Sequence, residues 1–181
     1  MKEEFNYASY SSRLGAMLID VLVFQFLMLL IKYWGGVGKW YYIIYPVTNI
    51  FWIYFITIYL VKRTGASLGK LILGLVIVKT NGQPVGWKNA ILRESIALIK
   101  VALQLIIILS VFNQIDNSYY LSLKPNNTRD YLHSFSPYFS YLYWVGIILT
   151  TVNAVLIFTN SRKKLLHDFI ARTIVITREK T

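Results

Sequence analysis

Four apolar runs dominate this chain: Leu14–Trp34, Tyr41–Val61, Ile96–Phe112 and Phe139–Phe158. A helix rising ~1.5 Å per residue crosses ~30 Å of hydrocarbon in about 20 residues, which is the length of these runs. The third span begins earlier than its apolar run, near Trp87, so the spans are expected at about 14–34, 41–61, 88–112 and 139–158. The first run is too long for a signal-peptide h-region. It follows Glu3 and Glu4 and lacks a small-residue cleavage site, so it reads as a retained span. Of the 181 residues, 56% are hydrophobic and the mean hydropathy is +0.49. That is more apolar mass than a soluble domain needs. The expected fold class is all-α integral membrane, one domain over 1–181 with four transmembrane helices.

The formal charge of +11 raises the question of nucleic acid, and the distribution of the charge answers it. Of 19 Lys and Arg, Lys2 and Arg13 precede the main body of the first span. Lys62, Arg63, Lys70, Lys79, Lys88 and Arg93 lie between the second and third. Arg162, Lys163, Lys164, Arg172, Arg178 and Lys180 follow the fourth. The two remaining loops hold Lys32, Lys39, Lys124 and Arg129, and Lys100 lies within a span. Fourteen against four is the positive-inside pattern, with both termini and the second loop cytoplasmic. The expected surface partner is a bilayer with anionic headgroups, and no nucleic acid is required.

Between the second and third spans the pattern changes. In "GASLGKLILG", Ser67 is an N-cap candidate and Gly74 a stop. Leu68, Leu71, Ile72 and Leu75 share a face, so a short amphipathic helix along the inner leaflet is expected. "LVIVKTNGQPVGW" follows, β-branched residues before an Asn-Gly turn. A second such run, "RTIVITRE", closes the chain. Isolated strands leave backbone groups unpaired, so Val76–Thr80 and Thr173–Thr177 are expected to pair in a small cytoplasmic β-ribbon. The outer loop 113–137 is polar, with "KPNNT" at its centre, and reads either as a lid or as disordered. Neither an internal repeat nor an inverted one is visible.

Charges at membrane depth are the candidate site. Asp20 lies seven residues past Arg13 on nearly the same face, ~10 Å deeper. A carboxylate there costs at least ~2.5–3.5 kcal/mol and normally has a partner, water or a shifted pKa. Arg13 can snorkel to phosphate. The partner of Asp20 is expected on another helix. Arg93, Lys100 and Gln104 form one stripe of the third span, and Lys100 is expected to pair with Asp20. The pair reads either as a helix-locking bridge or as a functional site. Near the end, "KKLLHDFIA" is expected to be helical with Leu165, Leu166, Phe169 and Ile170 on its apolar face. His167 and Asp168 would then lie at headgroup level, as a proton relay or as a solvated pair. No nucleophile–base set, P-loop or metal-ligand spacing is present. No enzyme activity and no cofactor are expected, and the only metal considered is a monovalent cation at Asp20.

"YSSRLGAMLIDVLV", "SLGKLILGLVIVKTNGQPVGWKNAILRE" and "LLHDFIARTIVI" together resemble the RDD family, named for an Arg and two Asp at these places. The resemblance covers most of the chain except the long outer loop. It implies a small multi-span membrane protein of the bacterial cytoplasmic (inner) membrane, thought to act in transport, with Arg13, Asp20 and Asp168 as the signature triad. Some relatives are reported as cation/proton antiporters. Arg172 departs from the expected small residue and offers Asp168 a second, purely structural partner. Two functions follow as expectations. One is a cation/proton transporter, exchanging H⁺ for Na⁺, Li⁺ or K⁺ at Asp20, with Thr48, Asn49, Thr57, Thr150 and Asn153 completing an oxygen shell. Four spans would then require a homo-oligomer to form a path. The alternative is a non-enzymatic accessory or scaffold subunit of a larger membrane complex, or one bound to anionic lipid.

Overall fold

The computed structural model describes residues 5–35, 38–122, 131, 134–160 and 164–178. The centre of the loop expected outside, at 124–128, and the cations Lys2, Arg129, Arg162, Lys163 and Lys180 lie outside the described residues, as do Glu3 and Glu4.

Helix α1 covers Tyr10–Gly35. Ser9 is its N-cap: the Ser9 hydroxyl accepts the Ser12 N–H at 3.1 Å. Helix α2 runs from Gly38 to Thr64 and is not uniform. Pro46 lies inside it, and Ile53–Tyr59 widens into a π-helix, with the Thr57 hydroxyl donating to the Ile53 carbonyl at 2.7 Å. Gly65 ends α2 at φ +80°, where a side chain would be strained, and its N–H donates to the Val61 carbonyl at 2.8 Å. The short helix α3, Leu68–Ile72, follows, with Ser67 extended at its N-cap and Gly74 turning out at φ +65°.

Strand β1 is Leu75–Lys79, and after the Asn81–Gly82 turn comes α4, Trp87–Val111. The segment after α4 contributes α5, Asn117–Ser122. Then α6, Tyr138–Thr159, is followed by α7, Leu166–Ala171, and β2, Thr173–Thr177. Among the described residues, four helices are long and apolar enough to cross a membrane: Tyr10–Tyr33, Gly38–Thr64, Trp87–Gln114 and Tyr138–Leu156. The chain is a mostly helical, multi-pass membrane protein.

The expected ribbon is present. β1 and β2 pair antiparallel, Leu75 opposite Thr177 and Lys79 opposite Thr173, one residue earlier on β1 than the sequence reading placed it. The N-terminal segment covers the other edge of β2: Ala8 N–H donates to the Val175 carbonyl at 3.1 Å, and Thr177 N–H to the Asn6 carbonyl at 3.0 Å. Three distant parts of the chain thus meet at one end of the molecule, and neither edge of β2 is left unpaired. The main core lies there too, where Ala8, Ala16, Ile53, Ile58, Leu75, Ile77, Ala90 and Val175 cluster. The opposite end holds a smaller cluster around Val111, Ile115 and Tyr120. The fourth span is the outlier: none of its apolar window is buried, against 17% for each of the other three.

Candidate functional site

Where α3 meets α1, Gly69 packs so close to Ala16 that any Cβ on it would collide with the Ala16 carbonyl. This approach puts the start of α3 beside Asp20. The Asp20 carboxylate accepts the Ser67 hydroxyl at 2.6 Å and the Gly69 N–H at 2.7 Å. Ser67 holds the N-cap position but spends its hydroxyl proton on Asp20, so Asp20 is the group that satisfies the exposed N–H at the start of α3. The Lys70 ammonium donates back to the Ser67 hydroxyl oxygen at 3.1 Å.

The second carboxylate lies at the start of α7. Asp168 is fully buried. One oxygen accepts Arg13 Nη1 at 3.3 Å and the Leu165 N–H at 3.1 Å. The other accepts Arg93 Nη1 and, at 3.3 Å, the Thr173 hydroxyl. Arg13 also donates to the Val175 carbonyl at 3.0 Å, which ties α1 to β2. Arg93 Nη2 lies 2.8 Å from His167 Nε2. A guanidinium only donates, so Nε2 accepts and the ring is neutral, with its proton on Nδ1. The site is therefore an Arg–Asp–Arg bridge joining α1, α4 and α7, with His167 on its flank. The fourth span meets it through Asn153, whose side-chain oxygen accepts the Leu166 N–H at 2.9 Å.

Burial opposes the charge on Asp168, but Arg93 foremost, with the Leu165 N–H and Arg13, outweighs it and holds the carboxyl at about 2. Burial and then Arg93 push His167 down to about 3, against the pull of Asp168. Burial and then Arg93 also lower the half-buried Lys70 to about 8, against Asp20, Glu94 and Asp168.

Several expectations are corrected here. Asp20 does not pair with Lys100. Lys100 lies thirteen residues into α4, about 20 Å along the axis, and turns to the fourth span, beside Gly146. Arg13 does not snorkel to phosphate; it is buried on Asp168. The pair His167–Asp168 is not solvated at headgroup level, because the ribbon and the two arginines enclose the carboxylate. Arg172 does not pair with Asp168: it is the αL residue ending α7 at φ +53°, and it is exposed. The Arg93, Lys100, Gln104 stripe divides between two cavities, Arg93 in one and Lys100 with Gln104 in the other. The oxygen shell imagined around Asp20 is not assembled. Thr150 and Asn153 line the cavity beside Arg13, and among the described residues Thr48 and Asn49 make no side-chain hydrogen bond.

The sequence reading missed Glu94 and the role of Lys70. Glu94 follows Arg93 on α4 and faces Lys70, Arg93, Asp20 and the Thr57 hydroxyl. The signal is a carboxylate at membrane depth in "AILRESIALIK", next to Arg93 and so on a different face of the helix. Glu94 and Thr57 meet because the π-helical turn of α2 carries Thr57.

Neither a curated protein nor a solved structure matches the chain. The RDD family model matches residues 7–172, from the segment that edges the ribbon to the αL residue before β2. Arg13, Asp20 and Asp168, expected from resemblance, all lie within that match and at the ribbon end of the molecule. The chain belongs to the RDD family.

Proposed function

We propose that this protein is a small cation/proton transporter of the bacterial inner membrane, and that exchange takes place around Lys70 and Glu94 rather than at Asp20. Asp20 is engaged in holding α3, and Asp168 is engaged by four donors. Glu94 is the carboxylate left with the lightest set of partners: the Thr57 hydroxyl lies beside it but already donates to the Ile53 carbonyl. The observation that carries the reading is the charge balance of this group. Arg13, Lys70 and Arg93 stand against Asp20, Glu94 and Asp168, three positive and three negative, with His167 neutral. A monovalent cation entering such a balanced cluster is accommodated most cheaply if one proton leaves. Lys70 is the group poised to release it, since its ammonium already titrates near 8. A cation taking the ammonium's place would meet the Ser67 hydroxyl, Asp20 and Glu94, hard oxygen ligands suited to Na⁺ or Li⁺. In this reading the ribbon end and both termini face the cytoplasm, as the positive-inside asymmetry supports.

In vesicles holding a pH gradient, addition of Na⁺, Li⁺ or K⁺ is expected to dissipate it, and Glu94→Gln and Lys70→Gln to remove the response. A silent wild type, or both variants responding fully, ends the transport reading.

A second reading, an accessory or scaffold subunit, is favoured by the fourth span alone. Its window has no buried residue, and Tyr138, Tyr141, Trp144, Ile148, Val155 and Phe158 are all exposed. Such a surface suits a neighbouring helix as well as lipid. Stable co-purification with a second membrane protein, lost on replacing Trp144 and Ile148 by Ala, supports that reading.

A further inference from the structure

Among the described cations, Lys100 has a setting of its own. It lies near the middle of α4, half-buried, and among the described residues it has no acidic partner and no hydrogen bond. An unneutralised ammonium at this depth is costly and marks a ligand path or a missing counter-charge. It opens on a groove of about 550 Å³ between the third and fourth spans.

The walls are suited to one sign of charge. Gly146 on α6 leaves the ammonium room to approach: a Cβ there would lie 3.0 Å from Lys100 Nζ. Gln104, one turn along α4, adds amide donors on the same side. The Thr150 hydroxyl spends its proton on the Gly146 carbonyl at 2.9 Å. Phe139 marks the end of the groove farthest from the ribbon. Thr150 also lines a second cavity of about 390 Å³, whose basic lining is Arg13, Lys70, Arg93 and His167. No Asp or Glu lines either cavity. The groove beside Lys100 therefore carries one positive charge with no acidic residue in its lining, and its apolar walls leave an anionic ligand as the complement.

We propose that the groove beside Lys100 is an oxyanion site, taking a carboxylate or phosphate between the third and fourth spans. Lys100 supplies the charge and Gln104 the directed donor, and Gly146 keeps the space open. The site is distinct from the Lys70–Glu94 cluster and stands whether or not cations are exchanged there.

The test uses the full chain in nonionic detergent or nanodiscs, in two arms. In one, inorganic phosphate and octanoate are titrated by calorimetry. In the other, phosphatidylglycerol retention is read by native mass spectrometry, with phosphatidylcholine as the neutral comparison. Wild type is expected to bind in at least one arm. Lys100→Gln is expected to weaken that binding about tenfold or more, as loss of a charged hydrogen bond implies, and Lys100→Arg to retain it. Gly146→Val keeps the cation but fills the groove, and is expected to weaken binding as well. A response to phosphate or octanoate assigns a soluble anion; a response to phosphatidylglycerol alone assigns a lipid headgroup. No binding in either arm, or equal binding by wild type and Lys100→Gln, overturns the proposal. Cation-driven pH dissipation by Lys100→Gln vesicles separates a failure here from a failure of the exchange reading.

Discussion

The Asp20 carboxylate on the first span accepts the backbone N–H of Gly69, 49 residues later, at 2.7 Å. A five-residue helix has too few internal hydrogen bonds to persist alone. Asp20 gives α3 an external cap and the Gly69–Ala16 approach gives it a seat, so a carboxylate in an apolar helix is explained by a neighbouring helix terminus.

Asp20→Asn retains the shape of the side chain but not its charge, and is expected to cost about 1–3 kcal/mol, the range for loss of a charged hydrogen bond. Gly69→Ala attacks the same seat by steric means and is expected to cost at least as much. Thermal melts in detergent read both, and hydrogen exchange at Gly69 and Lys70 localises the effect. A melting temperature unmoved by Asp20→Asn contradicts the capping role.

Asp168→Asn leaves two buried guanidinium groups facing a neutral amide. Breaking a buried ion pair from one side typically costs about 3–5 kcal/mol, a large share of the ~5–15 kcal/mol that holds a domain folded. The variant is expected to be poorly folded or absent from the membrane fraction, while Arg172→Ala, outside the bridge, is expected to behave as wild type.

Acid is expected to destabilise the ribbon end over a defined window. An unfolded His167 takes up a proton near 6.5, whereas the folded ring resists until about 3. An unfolded Asp168 takes one up near 3.8, the folded one near 2. In both cases the unfolded chain binds more protons, so stability falls as pH drops from about 6.5 towards 2. His167→Gln is expected to flatten the part above pH 4 and leave the lower part, as read by melts across that range.

Lys70 predicts the opposite flank. Its folded value of about 8 lies below the ordinary 10.5, so between these limits the unfolded chain again binds more protons and stability rises with pH. Lys70→Met is expected to remove this rise. If melting temperatures of wild type and Lys70→Met run parallel from pH 8 to 10.5, the ammonium is not under the burial described.

Much of the architecture was legible because it is written in local pattern. Apolar runs of membrane length, the Ser67 and Gly74 boundaries, and the two β-branched runs each carry their own signal, and the ribbon differs from expectation by one residue. The site was legible only as a set of residues. Arg13, Asp20 and Asp168 stood out as charges in the wrong solvent, but the pairing drawn from matching depth, Asp20 with Lys100, failed. Depth along a helix axis says nothing about which way a side chain turns around it, and Lys100 turns to Gly146.

The sequence by itself determined the four spans, the strands and the fact that buried charge needs partners, because hydrophobicity, periodicity and desolvation act residue by residue. Only the tertiary structure decided who partners whom. Residues 155 apart in the chain meet at the Arg13–Asp168 bridge. That meeting depends on α7 folding back under the ribbon and α3 seating on a glycine, on relative placements of elements that no local pattern encodes.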